Sequence, residues 1–533
     1  MKVLLVQPPI EDFYDTPIRT YPLALALIAG RIRDICDVSI LDCRTGVAPQ
    51  RLGSHDFPEL APFYREDRQT PFSLFSRYSR YGMAREAVAE RIGSVHPDIV
   101  GISSSFAAYS REALDIAAIV KKLDKKIITV AGGTHPTLFP EHVLADKNVD
   151  YVIRGEGETP FFELIRNLGS GGSDSLTAVS GLSFCHNNAS HIGAIHVEKE
   201  IDTIPARELL SIADYRIGKK PYTFFLTSRG CPFNCAFCGK PPVPYRRRTI
   251  GAIEREISDV IALGIEAIDF EDDMLNLDIP FFHTVLDLLA GTGFNLSAMN
   301  GLYSKTMDVG TLQKMHGAGF SRLNFSLVDT SRTLNDSQRR QFPENLLDIL
   351  DWLEDSPFLV EIHFIIGLPG QRPSEVIDTM TFLMGKRVLA GPSIFYLAPG
   401  SPYFDDACRE DPSGFFRLAR SSIMLPVNRL FPRQTTFTFM KLLRFINVAK
   451  ALIDANPGAR SLADLADAGR MKKNPRDRHI FNTLLQKGRF VWFDGHGNEY
   501  IDEPQDLSLV AAFLKAMEGK RIKGFRTANS VSV

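Results

Sequence analysis

Short apolar blocks separated by polar turns mark the first third of the chain. Residues 2–6 form an apolar run behind one lysine, ended by Gln7-Pro8-Pro9, and predict a buried strand. From 21 to 33 apolar residues recur at helical spacing, with Pro22 tolerated in the first turn. Further strands are expected at 38–42, 98–103, 126–133 and 151–153, and helices at 83–95, 111–123 and 159–168. A polar insertion containing Phe and Arg residues interrupts the series from about 50 to 81. Strands alternating with helices at this spacing predict an α/β domain built on a doubly wound parallel sheet.

The pattern changes after residue 168. Glycine and serine dominate 169–174, which reads as a linker, and 179–184 with 194–198 can pair as a hairpin. A second strand-helix series follows. Strands are expected at 222–227, 267–270, 295–299, 322–327, 359–366 and 393–397, with helices at 252–263, 309–318, 343–353 and 374–384. The series is too short for a full eight-unit barrel. Beyond about 404 the spacing is mostly helical, at 414–422, 437–455, 462–468, 478–486 and 507–518, with a hairpin around 489–497. The expected division is 1–168, a crossing segment 169–218, a partial barrel 219–405 and a mostly helical region 406–533, as 533 residues suggest about three domains.

Composition narrows the function classes. An apolar fraction of 44% is ample for packed cores, and a net charge of −2 gives no electrostatic case for nucleic acid or an anionic membrane. Arg246-Arg247-Arg248 reads as a solvated loop. The apolar run at the amino terminus is too short for a secretory signal, and no stretch reaches membrane-spanning length. Cys36, Cys43, Cys185 and Cys408 are scattered, which suits reduced thiols in a cytoplasmic enzyme.

The other three cysteines, Cys231, Cys235 and Cys238, share one loop just after the strand expected at 222–227. Thiolates at this spacing bind zinc or an iron-sulfur cluster, and no fourth cysteine or histidine follows at finger spacing. Three thiolates on an iron-sulfur cube leave one iron open to a ligand that is not protein. C-x-x-x-C-x-x-C with Phe237 before the last cysteine resembles the signature of radical S-adenosylmethionine (radical SAM) enzymes. That resemblance implies a [4Fe-4S] cluster on Cys231, Cys235 and Cys238, SAM on the open iron, Phe237 near adenine, and a partial (β/α)6 TIM-like barrel. It further implies SAM contacts from Glu271, Asp272 and Asp273, from Ser326 and from Gly367. Relatives often carry a glutamate where Val328 stands here, and Ser326 or Asp329 is the expected substitute.

Upstream, Ser103-Ser104-Ser105, Gly132-Gly133-Thr134 and Gly155-Glu156-Gly157 each follow an expected strand, where open α/β sheets bind ligands. Together with the cysteine loop they resemble the Rossmann-like cobalamin (B12)-binding domain of B12-dependent radical SAM enzymes, which implies cobalamin on these loops. The D-x-H-x-x-G motif that supplies a cobalt ligand in many such domains is absent. Asp477-Arg478-His479 lies in a helical setting unsuited to that task, and His135 is expected to bond within its own loop. The implied function is reductive cleavage of SAM to a 5'-deoxyadenosyl radical and methylation of an unactivated carbon of a small molecule through methylcobalamin. A flavodoxin- or ferredoxin-type donor would supply the electron. Two alternatives stay open: a radical SAM cyclase, rearrangement or oxidation enzyme with or without cobalamin, and a non-catalytic iron-sulfur or zinc protein.

Overall fold

The run Lys2–Gln7 becomes the middle of a sheet because its four interior residues, Val3 to Val6, are buried on both faces. In the computed structural model, which describes residues 1–14, 21–53, 56–65, 68, 70–73, 77–169, 176–186, 189–240, 243–404, 414–456, 458–465 and 474–526, this strand pairs in parallel with Asp37–Asp42 and with Ile99–Ser103. Ile128–Gly132 and Tyr151–Ile153 extend the sheet in parallel. The hairpin Leu182–His186 and Ala189–His191 closes it in antiparallel register, giving seven strands. Helices Leu23–Ile32 and Glu158–Gly169 cover one face and Arg85–Val95 with Ser110–Leu123 the other. Of the linker expected at 169–174, Gly169 instead ends the helix Glu158–Gly169, and 170–174, Cys408 and the tail from 527 lie outside the described residues.

Six parallel strands make the second body. Lys220–Phe225, Ala267–Phe270 and Asn295–Ser297 form one sheet, edged by the short antiparallel strand Arg216–Ile217, and Arg322–Val328, Leu359–Ile366 and Leu389–Ile394 form another. Single parallel bridges, Leu296 with Phe320 and Leu302 with Phe325, join them into an open barrel. The last strand differs from the expected 393–397. It begins at Leu389 and runs through Gly391-Pro392, a turn-like pair that an edge strand tolerates because its outer side donates no ladder bonds. Helix Ile279–Leu289, capped by Asp278, was not anticipated.

The polar insertion is the larger surprise. Among its described residues the backbone adds the short strands Gln50–Arg51 and Ser79–Tyr81 to Ile10–Asp12 and one 3-10 turn at Pro58–Leu60, yet Phe57 and Phe72 are fully buried. Phe72 meets Phe445 and Phe490 edge to face, and Phe63 meets Phe437. The insertion therefore fills the core around the 23-residue helix Arg433–Ala455. That helix also buries Lys450, whose Nζ donates to the carbonyls of Lys386 at 2.6 Å and Lys523 at 2.9 Å. Among the described residues no helix is long and apolar enough to cross a membrane.

Candidate active site

The cysteine loop leaves the first barrel strand on a tightly held backbone. Asp272, at the end of the neighbouring strand, is buried and accepts from Thr227 N at 3.0 Å, Thr227 Oγ1 at 2.7 Å, Ser228 N at 2.5 Å and Ser228 Oγ at 2.6 Å. Burial raises its carboxyl above the ordinary value, and these donors oppose the rise. Gly230 follows with φ +92°, and a Cβ there would stand 2.3 Å from the Pro244 carbonyl oxygen. Its N–H donates to Asp273 at 3.1 Å, and Asp273 also pairs with Lys240. The acidic turn expected to meet SAM thus divides. Asp272 turns inward onto the loop, whereas Glu271, half-buried, accepts from Asn300 at 3.1 Å beside the barrel mouth.

Of the three thiols, Cys235 is buried, Cys231 half-buried and Cys238 exposed. Ala236 N donates to the Gln338 carbonyl at 3.0 Å, and the Arg340 guanidinium lies 3.9 Å from Cys235 Sγ. Burial pushes the Cys231 thiol up, and Cys235 and Cys238 add to the rise. Three thiols in one loop suit a shared iron-sulfur cluster. Phe237 packs against the apolar cluster that contains Leu368 and Val328. Gly367, φ +90°, donates its N–H to Gln371 Oε1 at 2.7 Å, and Gln371 Nε2 reaches Asp329 at 2.7 Å. Burial lifts the Asp329 carboxyl to about 6. Ser326 is half-buried before a bulge that carries Val328 to φ +67°, a conformation rare for a β-branched residue.

A cavity of about 310 Å³ opens at the carboxyl ends of the parallel strands. Leu5, Leu23, Ile28 and Phe161 wall it, and seven of the expected cobalamin residues, Ser103, Ser105, Gly132, Gly133, Gly155, Glu156 and Gly157, line it. Space over Gly132 is open, since a Cβ built there meets nothing within 4 Å. Gly155 serves a close approach instead, because its Cβ would stand 2.0 Å from the His196 carbonyl. Ser104 and Thr134 stand outside the cavity. Ser104 is buried against His135 Nδ1 at 3.2 Å, and Thr134 is exposed at the start of the helix Thr134–Leu138. Burial drops the His135 imidazole to about 3, so this ring stays neutral, and its partner Ser104 belongs to the neighbouring strand's loop rather than to its own as expected. His479, on the helix Pro475–Lys487, pairs with Glu499 at 2.5 Å far along the chain.

The same cavity is lined by Leu226 and Arg229 of the barrel. Sequence alone had not singled them out, and Arg229 lies inside the loop whose cysteines drew attention. The chamber is apolar, its rim is glycine-rich, and its far side is formed by the segment that leads into the thiol loop, so it can take part of a large cofactor at the strand ends.

The B12 binding domain family matches residues 77–165 and the Radical SAM superfamily matches residues 225–383. An uncharacterized methyltransferase of Pyrococcus horikoshii is 29% identical over 72% of this chain and 77% of its own length. Cytidylyl-2-hydroxyethylphosphonate methyltransferase of Streptomyces wedmorensis is 23% identical over 69% of this chain and 73% of its own. The fold is shared with the radical S-adenosylmethionine methyltransferase TsrM from Kitasatospora setae, solved with cobalamin and a [4Fe-4S] cluster bound: TM-score 0.55, 16% identity, 76% of this chain and 75% of that one.

Proposed function

We propose, for a chain that belongs to the radical SAM enzymes carrying a B12-binding domain, that it methylates an unactivated carbon of a small molecule. The observation that carries the reading is the single cavity lined both by the glycine-rich strand ends of the first sheet and by Leu226 and Arg229 at the root of the cysteine loop. A methyl carrier held there would lie against Arg229, two residues before Cys231.

When bound, the cluster with SAM supplies one-electron cleavage of SAM, and cobalamin supplies a transferable methyl group. The chain's own residues do the rest. Cys231, Cys235 and Cys238 would ligate the cluster, and Arg340 offsets negative charge at the Cys235 sulfur. Asp272 and Asp273 fix the backbone that presents the thiols. Glu271, which also accepts from Asn300, would receive the SAM ammonium, and Gly367, Phe237 and Ser326 would meet the adenosine, Gly367 through its backbone. Ser103, Ser105, Gly132, Gly133 and Gly155 would cradle cobalamin, and Leu5, Leu23 and Phe161 would give it an apolar wall. A low-potential flavodoxin or ferredoxin is the expected electron donor, and the cytoplasm the expected location.

The test is anaerobic reconstitution followed by reduction with SAM present. The protein is expected to hold a [4Fe-4S] cluster, to retain a corrin spectrum after desalting and to release 5'-deoxyadenosine, with Cys235→Ala abolishing release while the fold survives. A zinc-loaded, colourless protein inert towards SAM would overturn the reading. With a substrate in hand, a product lighter by hydrogen rather than heavier by a methyl group would replace methyl transfer with oxidation or cyclisation.

A further inference from the structure

Two arginines stand side by side at the root of the cysteine loop. Ser228–Arg229 and Arg246–Arg247 form a two-stranded antiparallel ribbon in which Arg229 and Arg246 are direct cross-strand partners. Like charges opposite each other destabilise a ribbon unless something else neutralises them. Here the neutralising groups come from the other domain. Glu158 Oε1 accepts from Arg229 Nη2 at 2.5 Å, Glu156 lies 3.5 Å from Arg229 Nη1, and Glu156 takes Arg246 on both oxygens at 2.7 and 2.9 Å. The arginine side chains are only 12% and 13% exposed and that of Glu158 7%. Burial alone would raise the Glu156 carboxyl, but Arg246 and Arg229 hold it below the usual range.

Both ends of this contact are stiff. On the barrel side Asp272 pins Thr227 and Ser228, and Asp273 holds Gly230, so the backbone entering Cys231 has little slack. On the sheet side Glu158 opens the helix Glu158–Gly169, and Glu156 accepts from Glu198 N at 2.6 Å. Arg229, Glu156 and Glu158 also line the cavity of about 310 Å³. A group filling that cavity touches the same side chains that brace the cysteine loop.

We propose that Arg229 and Arg246, clasped by Glu158 and Glu156, form a latch that sets the cysteine loop against the cofactor cavity, with Arg229 the positioning residue that joins the two cofactor sites. The inference rests on the reading that cobalamin fills the cavity and the three thiols carry the cluster. A planar guanidinium bridging two carboxylates fixes orientation as well as charge, which a lysine at the same place would not.

The test uses the full chain loaded with both cofactors. The electron spin relaxation of cob(II)alamin is measured with the cluster oxidised and reduced, because a nearby paramagnetic cluster speeds it. Wild type is expected to show the enhancement. Glu158→Gln, which keeps shape and removes charge, is expected to lose it at unchanged iron and corrin content, and Arg229→Lys is expected not to restore it. Glu112→Gln, at a buried carboxylate outside the latch, serves as control and is expected to retain it. Should Glu158→Gln fail to fold, Glu156→Gln decides by the same readout. Enhancement undiminished in the folded latch variant at full occupancy overturns the latch alone. Wild type that retains no corrin or no cluster overturns the underlying cofactor reading, and the latch with it.

Discussion

Asp272 shows how little a residue's type says about its work. In the sequence it is the middle of three acidic residues after a strand, an obvious partner for an ammonium group. In the folded chain its carboxylate is spent on Thr227 and Ser228. Truncating it would strand those donors in the interior at about 1–3 kcal/mol for each group left unsatisfied. Asp272→Ala is therefore expected to lower stability by about 4 kcal/mol or more, read from urea unfolding of the apo chain, and to reduce iron retained after reconstitution. Unchanged stability with weakened SAM binding would instead make it a ligand contact. The three cysteines were legible because their chemistry depends on local spacing. The partners of Asp272 were not, since they lie 44 and 45 residues away along the chain.

Periodicity identified the strand Leu359–Ile366 and the helix Val309–Ala318 because each has a regular face to bury. It failed where an element breaks its own local rules, as the Gly391-Pro392 edge strand does. Helix Ser110–Leu123 adds a contact that no periodicity announces. From its first turn Glu112 accepts from Glu11 N at 2.9 Å, joining the helix to the strand Ile10–Asp12. Burial lifts the Glu112 carboxyl to about 7, with Arg420 opposing the rise. The folded chain thus keeps a proton that the unfolded chain releases near 4.5. The stabilisation is complete below 4.5 and is lost as pH rises through 7. Urea midpoints of the apo chain should fall across that window, and Glu112→Gln should flatten the fall. An equally steep fall in the variant would assign it to other groups.

The insertion decides how far the molecule can be divided. Phe57, Phe63 and Phe72 belong in sequence to the first sheet, but they pack on or near the helix Arg433–Ala455 and its neighbours. Phe72→Ala should cost about 3–5 kcal/mol, as large aromatic deletions in cores do. An isolated piece 1–168 would expose these rings and is expected to aggregate, whereas the whole apo chain should melt in one transition by calorimetry. A soluble, cooperatively folded 1–168 would contradict that account. The α/β class, the order of the two strand-helix series and the thiol loop were written in spacing and residue type, because period and ligand chemistry act over a few residues. What the chain's folding alone established is which distant groups meet: Asp272 beneath the loop, the aromatic insertion in a remote core, and the glutamates of the Gly155-Glu156-Gly157-Glu158 turn on two barrel arginines. Charge pairing and close packing depend on distances in space, and a linear pattern carries no record of those.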